Sequence, residues 1–261
     1  MSRDDLIYSK QSGIAILEIN RPDSENRIDS RIALGMRDII SDISLDNDIR
    51  VMVLTARGKV FCSGDDVSMF NTPVEFSRDN ISDYFRASMI ARPLASLQIP
   101  TICALNGDAF GHGLELALAC DIRIATEGMK LGFPDIVKGI MPWDGGTQRL
   151  PRTIGLAWAT DLLLTGRVVS SEESVAIGLV HTIVPSANLA DYAKSIATGM
   201  SDMAPIATRY IKEAIYKGID LTLDQGMRLE ADLNMILQST NDREEGIQSF
   251  LQRRSPSFQG D

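Results

Sequence analysis

The chain reads as an α/β protein with a helical tail, and three observations lead to that class. As far as Gly155, short runs rich in β-branched and apolar residues alternate with segments of helical period. Beyond Gly155 the strand signals almost vanish and helical period takes over. Two stretches also share one plan of strand, glycine turn and helix: "VMVLTARGKVFCSGDDVSMF" and "TICALNGDAFGHGLELALACD". A β-α-β order of this kind argues for a core of parallel strands.

In chain order, residues 13–20 ("GIAILEIN") have strand composition and stop at Arg21-Pro22-Asp23. Residues 30–45 space Ile32, Met36, Ile39, Ile40 and Ile43 along one helical face, after the N-cap candidates Asp29 and Ser30. "RVMVLTA", ending at Ala56, and "TICALNG", from Thr101, read as buried strands, with a helix expected over 79–97 between them. In the tail, helical period marks 155–165, 171–177, 187–200, 205–217, 221–238 and 241–253. A composition shift near residue 200, with Pro205 opening a helix, divides the chain into a 1–200 core and a 201–261 helical subdomain.

The totals narrow the function. A length of 261 residues suffices for a sizeable core, and 44% hydrophobic with 23% charged residues is ordinary for a globular protein. The N-terminus "MSRDDLIYSK" lacks the apolar run of a secretory signal, and no stretch reaches the ~18 apolar residues of a membrane span. A cytoplasmic protein without membrane contact is expected. The net charge of −9 argues against nucleic acid as a partner. Cys62, Cys103 and Cys120 are too few and scattered for a disulfide framework or a CxxC metal site. With only His112 and His181 present, histidine-based zinc sites are disfavoured and carboxylates become the acid/base candidates.

Glu115 is the one polar residue between Leu114 and Cys120. Two readings stand: a first-turn acid favoured by the helix dipole, or a buried carboxylate held for chemistry. Asp135, after Pro134 among apolar residues, is either a turn acid or the second member of an acid pair. Helix starts present unpaired N–H groups, so two glycine turns facing each other would offer two donors to one developing oxyanion.

Five blocks in order resemble the enoyl-CoA hydratase/isomerase (crotonase) superfamily: "KVFCSGDDV", "ALNGDAFGHGLELALACDIRIA", "FPDIVKGIMPWDGGTQRLPRTIG", "LLLTGRVVSSEESVAIGLV" and "REEGIQSFLQRRSPSFQG". The resemblance implies a crotonase-like ββα spiral core and an acyl-CoA thioester substrate, coenzyme A being part of the substrate. It implies no metal or other cofactor, and a homotrimer or dimer of trimers built on the C-terminal helices. It assigns the oxyanion donors to the backbone N–H groups of Asp65 and His112, with the His112 side chain incidental, and the catalytic acids to Glu115 and Asp135. Arg27, Ser63, Asp65, Asp66, Val67, Gly111 and Trp143 become the substrate-contact candidates. Lys59, Arg253 and Arg254 are further candidates for the CoA phosphates.

Departures from the family pattern carry weight. Family hydratases usually have Glu at the position of Asp135, and a carboxylate one methylene shorter sits roughly 1.5 Å further back. Trp143-Asp144 replaces small residues, so Asp144 is either an N-cap before Gly145-Gly146-Thr147 or a third active carboxylate. Val67-Ser68 stands where a basic residue is usual. Hydration across the 2,3 double bond of an enoyl-CoA is the leading expectation. Enoyl- or dienoyl-CoA isomerisation, or C–C or thioester hydrolysis at the same site, is the alternative.

Overall fold

The computed structural model describes residues 5–66 and 89–261. The chain opens on a hairpin, β1 (Leu6–Gln11) and β2 (Ile14–Ile19), paired antiparallel from Leu6↔Ile19 to Gln11↔Ile14. Ser12 and Gly13 between them have φ of 51° and 76°, the left-handed pair that suits strand twist. Helix α1 (Ser30–Leu45) follows, with Asp29 accepting from Ile32 N at 2.9 Å as its N-cap.

A repeating unit then sets the architecture. β3 (Val51–Ala56) is followed by β4 (Val60–Cys62) and, further on, by α2 (Ala91–Ala95). β5 (Thr101–Leu105) is followed by β6 (Asp108–Phe110) and α3 (His112–Ala119). β7 (Ile122–Thr126) is followed by β8 (Lys130–Gly132) and a 3-10 turn, Pro134–Lys138. Each unit gives a long strand to one sheet and a short strand to a second, which is the ββα spiral that the resemblance implies. The remaining elements are α4 (Gly146–Ile154), α5 (Leu156–Thr165), β9 (Val168–Ser170), α6 (Ser171–Ala176), β10 (Thr182–Val184) and α7 (Leu189–Ser201). Three helices close the chain: α8 (Pro205–Gly218), α9 (Leu223–Leu237) and α10 (Asn241–Gln252).

The first sheet has the order β1-β2-β3-β5-β7-β10, parallel from β2 onward. The second is β4-β6-β8-β9, with only β9 antiparallel. Alternation along β3 fills both faces of the first sheet. Met52 and Leu54 join Ile32, Met36 and Ile40 of α1 and Leu114 and Leu116 of α3 in the larger core. Val51 and Val53 face the opposite way, against Ala193 and Ala197 of α7. The central strands therefore read as unbroken apolar runs.

β1, β7 and the five three-residue strands escaped the sequence patterns. β1 is an edge strand that buries only Leu6, so its sequence "LIYSKQ" lacks alternation. β4, β6, β8, β9 and β10 are three residues each, too short to show a period. Of the helix expected over 79–97, Ala91–Ala95 is helical and most of the rest lies outside the described residues.

Candidate active site

Two arms of backbone meet at one end of the fold. The first leaves β4 at Cys62. Ser63 N donates to Glu25 O at 3.1 Å, Ile28 N to Gly64 O at 2.9 Å and Asp66 N to Ile28 O at 2.8 Å. This bridge uses the groups either side of Asp65, so the N–H of Asp65 itself points away from Ile28. Asn26 holds that partner segment in place. Its wholly buried side chain accepts from Arg21 N at 2.7 Å and donates to Arg57 O and Val60 O at 2.8 and 2.7 Å. The second arm turns at Gly111, φ 51°, into α3, whose first residue is His112. The His112 N–H is thus one of the donors a helix start leaves without an intrahelical partner.

Between the arms lies a cavity of about 230 Å³. Its polar wall is Asp65, His112, Glu115 and Asp135, and the rest is mostly apolar, including Phe133, Ile140 and Leu164. Glu115 is 1% exposed on a helix buried along its whole length. Its Oε1 accepts from Asp144 N at 2.9 Å and Gly146 N at 2.6 Å, whereas Oε2 has no partner among the described residues. Burial raises the Glu115 pKa above the usual carboxylate range, and the charge on His112 and the Gly146 bond pull it only part of the way back. Asp135, in the 3-10 turn, pairs through Oδ1 with Lys138 at 2.9 Å. Its Oδ2 comes so close to Gly111 that a Cβ there would overlap it, and it also lies near Gly64. The shorter acid still reaches the gap between the arms, because glycine leaves the space.

Behind this wall is a buried polar chain. His112 Nδ1 lies 2.7 Å from Asp65 Oδ1, and Nε2 lies 3.1 Å from Asp144 Oδ2. Trp143 Nε1 donates to the other Asp65 oxygen at 3.0 Å, and its ring stands edge-on to the imidazole at 4.7 Å. Asp144 Oδ2 also accepts from Ile90 N and Ala91 N, each at 2.6 Å, at the start of α2. Burial opposes a charge on His112, but the bonds to Asp144 and Asp65 and the fields of Asp65 and Glu115 outweigh it. The imidazole pKa is held at about 10.

Residues 9–261 match the family described as enoyl-CoA hydratase/isomerase. The chain belongs to this family. It is 38% identical to the (E)-benzylidenesuccinyl-CoA hydratase of Thauera aromatica over 95% of this chain and 96% of the relative. It is 34% identical to the crotonyl-CoA hydratase of Syntrophomonas wolfei over 99% of each. Among solved structures, an enoyl-CoA hydratase from Bacillus anthracis superposes with a TM-score of 0.93 at 33% identity, covering 98% of this chain and all of that one.

Within this family member, the structure brings Asp65, Gly111, His112, Glu115, Asp135 and Trp143 to one cavity. Two of the candidate side chains lie away from where the sequence suggests. Asp144 does not line that cavity: its carboxylate is buried behind His112. Nor does it cap α4, where Gly145 is the cap residue; it serves the start of α2 instead. The His112 side chain, expected to be incidental, is buried between two aspartates. A signal for it was present: the two residues given the amide roles both carry charge-bearing side chains, where the amide alone would need none.

The remaining candidates are more peripheral. Arg27, half exposed, pairs with Glu25 at 3.1 Å and reaches Ser63 Oγ at 3.4 Å. Asp66 is half-buried beside Ile28, and Val67 lies outside the described residues. Lys59 is exposed, as is Arg253, and Arg254 is paired with Glu245. The three cysteines are buried and unbridged. Among the described residues, no helix is long and apolar enough to cross a membrane, and no group of three His, Cys, Asp or Glu could hold a metal ion.

Proposed function

We propose that the chain is an enoyl-CoA hydratase, adding water across the 2,3 double bond of an enoyl-CoA thioester at the Glu115–Asp135 cavity. The observation that carries this reading is Glu115 itself. One oxygen is fixed by two backbone donors, the other is without a partner among the described residues, and the group is buried at the wall shared with Asp135. In this reading the thioester oxygen accepts from Asp65 N and His112 N. Glu115 and Asp135 together take the proton of the attacking water and deliver one to the α-carbon. A C3–O bond forms as charge moves onto the thioester oxygen; the enolate then collapses, forming C2–H and restoring the carbonyl. Relatives named as hydratases support it.

The 1–200 segment then supplies the site and the 201–261 helices serve self-association as a homotrimer or a dimer of trimers. Support for the latter is the apolar surface the tail leaves open: Ile211, Ile215, Met227 and Phe250 are each more than 60% exposed, and α8 buries no residue. Arg27 is a candidate contact for the CoA moiety.

The deciding experiment follows loss of the conjugated thioester absorbance with short, long and aromatic enoyl-CoA esters, with product analysis by mass. A product heavier by one water supports hydration; a shifted double bond at unchanged mass would make the protein an isomerase. A substitution at Gly111 tests the geometry. Gly111→Ala places a methyl group where Asp135 Oδ2 lies, on a backbone with positive φ. We expect a kcat loss of about 100-fold and a stability loss of about 1–3 kcal/mol, read by initial rates and thermal unfolding. Wild-type kcat in this variant would remove Asp135 from the chemistry.

A further inference from the structure

Two amides on separate arms, from residues 47 positions apart, have to converge on a single oxygen. Donors of this kind act only within about 0.2 Å of their best distance, 2.7–3.1 Å. Backbone packing fixes each arm by itself: the Ile28 bridge holds Asp65, and Gly111 N donating to Gly132 O at 3.0 Å holds the entry to α3. Beyond the β4–β6 pairing that ends at Cys62 and Ala109, a side-chain link joins the arms through the same two residues, Asp65 Oδ1 to His112 Nδ1 at 2.7 Å.

The charge state of that link follows from its partners. Carboxylates accept hydrogen bonds, and a neutral imidazole carries one N–H only. A ring bonded through both nitrogens to Asp65 and Asp144 is therefore an imidazolium. The titratable groups around it are Asp65 on the first arm, Asp144 before α4 and Glu115 on its own helix. Each end of the bridge is anchored again: Asp144 by Ile90 N and Ala91 N, Asp65 by Trp143 Nε1. The ring cannot turn without breaking several buried bonds.

We propose that the His112 imidazolium is a positioning residue: by gripping Asp65 and Asp144 through its side chain, it holds the backbone N–H groups of Asp65 and His112 at the separation one thioester oxygen requires. The inference rests on the thioester reading of the cavity. Since the bridge contributes orientation and the amides contribute the bonds, its removal lowers the rate while ground-state binding is kept.

Asp65→Ala tests it. The variant keeps the amide, removes the grip, and alters a side chain only 13% exposed at the cavity wall. The expected result is a kcat lower by about 10- to 100-fold with KM at the wild-type value. A second readout is a cinnamoyl-CoA with a para-dialkylamino donor, whose absorption moves to the red as hydrogen bonds draw charge onto the thioester oxygen. Its shift on binding should shrink in Asp65→Ala and equally in His112→Asn. The double variant should lose no more than the worse single one, because the two side chains act as a unit. Wild-type kcat and a full red shift in folded Asp65→Ala would overturn the proposal while leaving the hydratase reading intact. A wild-type protein that neither hydrates enoyl-CoA nor shifts the chromophore would overturn the thioester reading, and the positioning role with it.

Discussion

Glu115→Gln should lower the kcat for enoyl-CoA hydration by about 1,000-fold, within the range of a lost acid/base group, while the fold is kept. The amide oxygen of Gln can accept the same two bonds, from Asp144 N and Gly146 N, that hold Oε1 now. What changes is the oxygen without a partner among the described residues, which becomes an NH₂ able to serve neither as general base nor as general acid near neutral pH. Burial raises the folded-state pKa of Glu115 above its unfolded value. The cost of keeping it ionised in the fold is therefore absent below the unfolded pKa and fully present above the folded one. Glutamine has no such cost, so the melting temperature of the variant at pH 8 should equal or exceed that of the wild type. Rates and thermal unfolding of one preparation decide the matter. A variant that melts normally and turns over normally would show Glu115 to be no more than a first-turn acid.

The parallel core was legible because its strands are buried on both faces and so appear as unbroken apolar runs, as in "VMVL" and "TICAL". The tail was legible for the opposite reason: its helices are amphipathic, and period is all the signal they need. The second sheet was not legible, because strands of three residues carry no period, and it is this sheet that extends each long strand toward the site. Glu115 stood out as a carboxylate in an apolar run. Asp144 and His112 could not be read from their neighbours. Their partners lie 32 to 54 positions away, and only the closure of the spiral brings Ile90, His112 and Asp144 together. Sequence spacing finds acids on one helix, whereas a buried bridge between loops is a property of the fold.

Asp144→Ala should be the most destabilising of these changes, by about 3–5 kcal/mol, which for a chain of this size corresponds to a melting temperature lower by roughly 10 °C. Its Oδ2 satisfies Ile90 N and Ala91 N and one side of the buried imidazolium. Alanine leaves two amides and a positive charge without that partner. The pH dependence identifies the charge responsible. His112 has a folded pKa of about 10 against an ordinary imidazole value of 6.5. A raised imidazole pKa contributes stability that is fully present below the unfolded value and is lost as pH rises through the folded one. Wild-type stability from this group should therefore decline from about pH 6.5 to pH 10. In Asp144→Ala the decline should be shallower, since one of the two bonds that hold the proton is gone. Unfolding curves for both proteins across that range make the comparison. Assays well below the variant's melting temperature complete it: the backbone N–H of residue 144 still reaches Glu115, so kcat should fall far less than in Glu115→Gln. A full loss of kcat in folded Asp144→Ala would instead return Asp144 to the chemistry as a third active carboxylate.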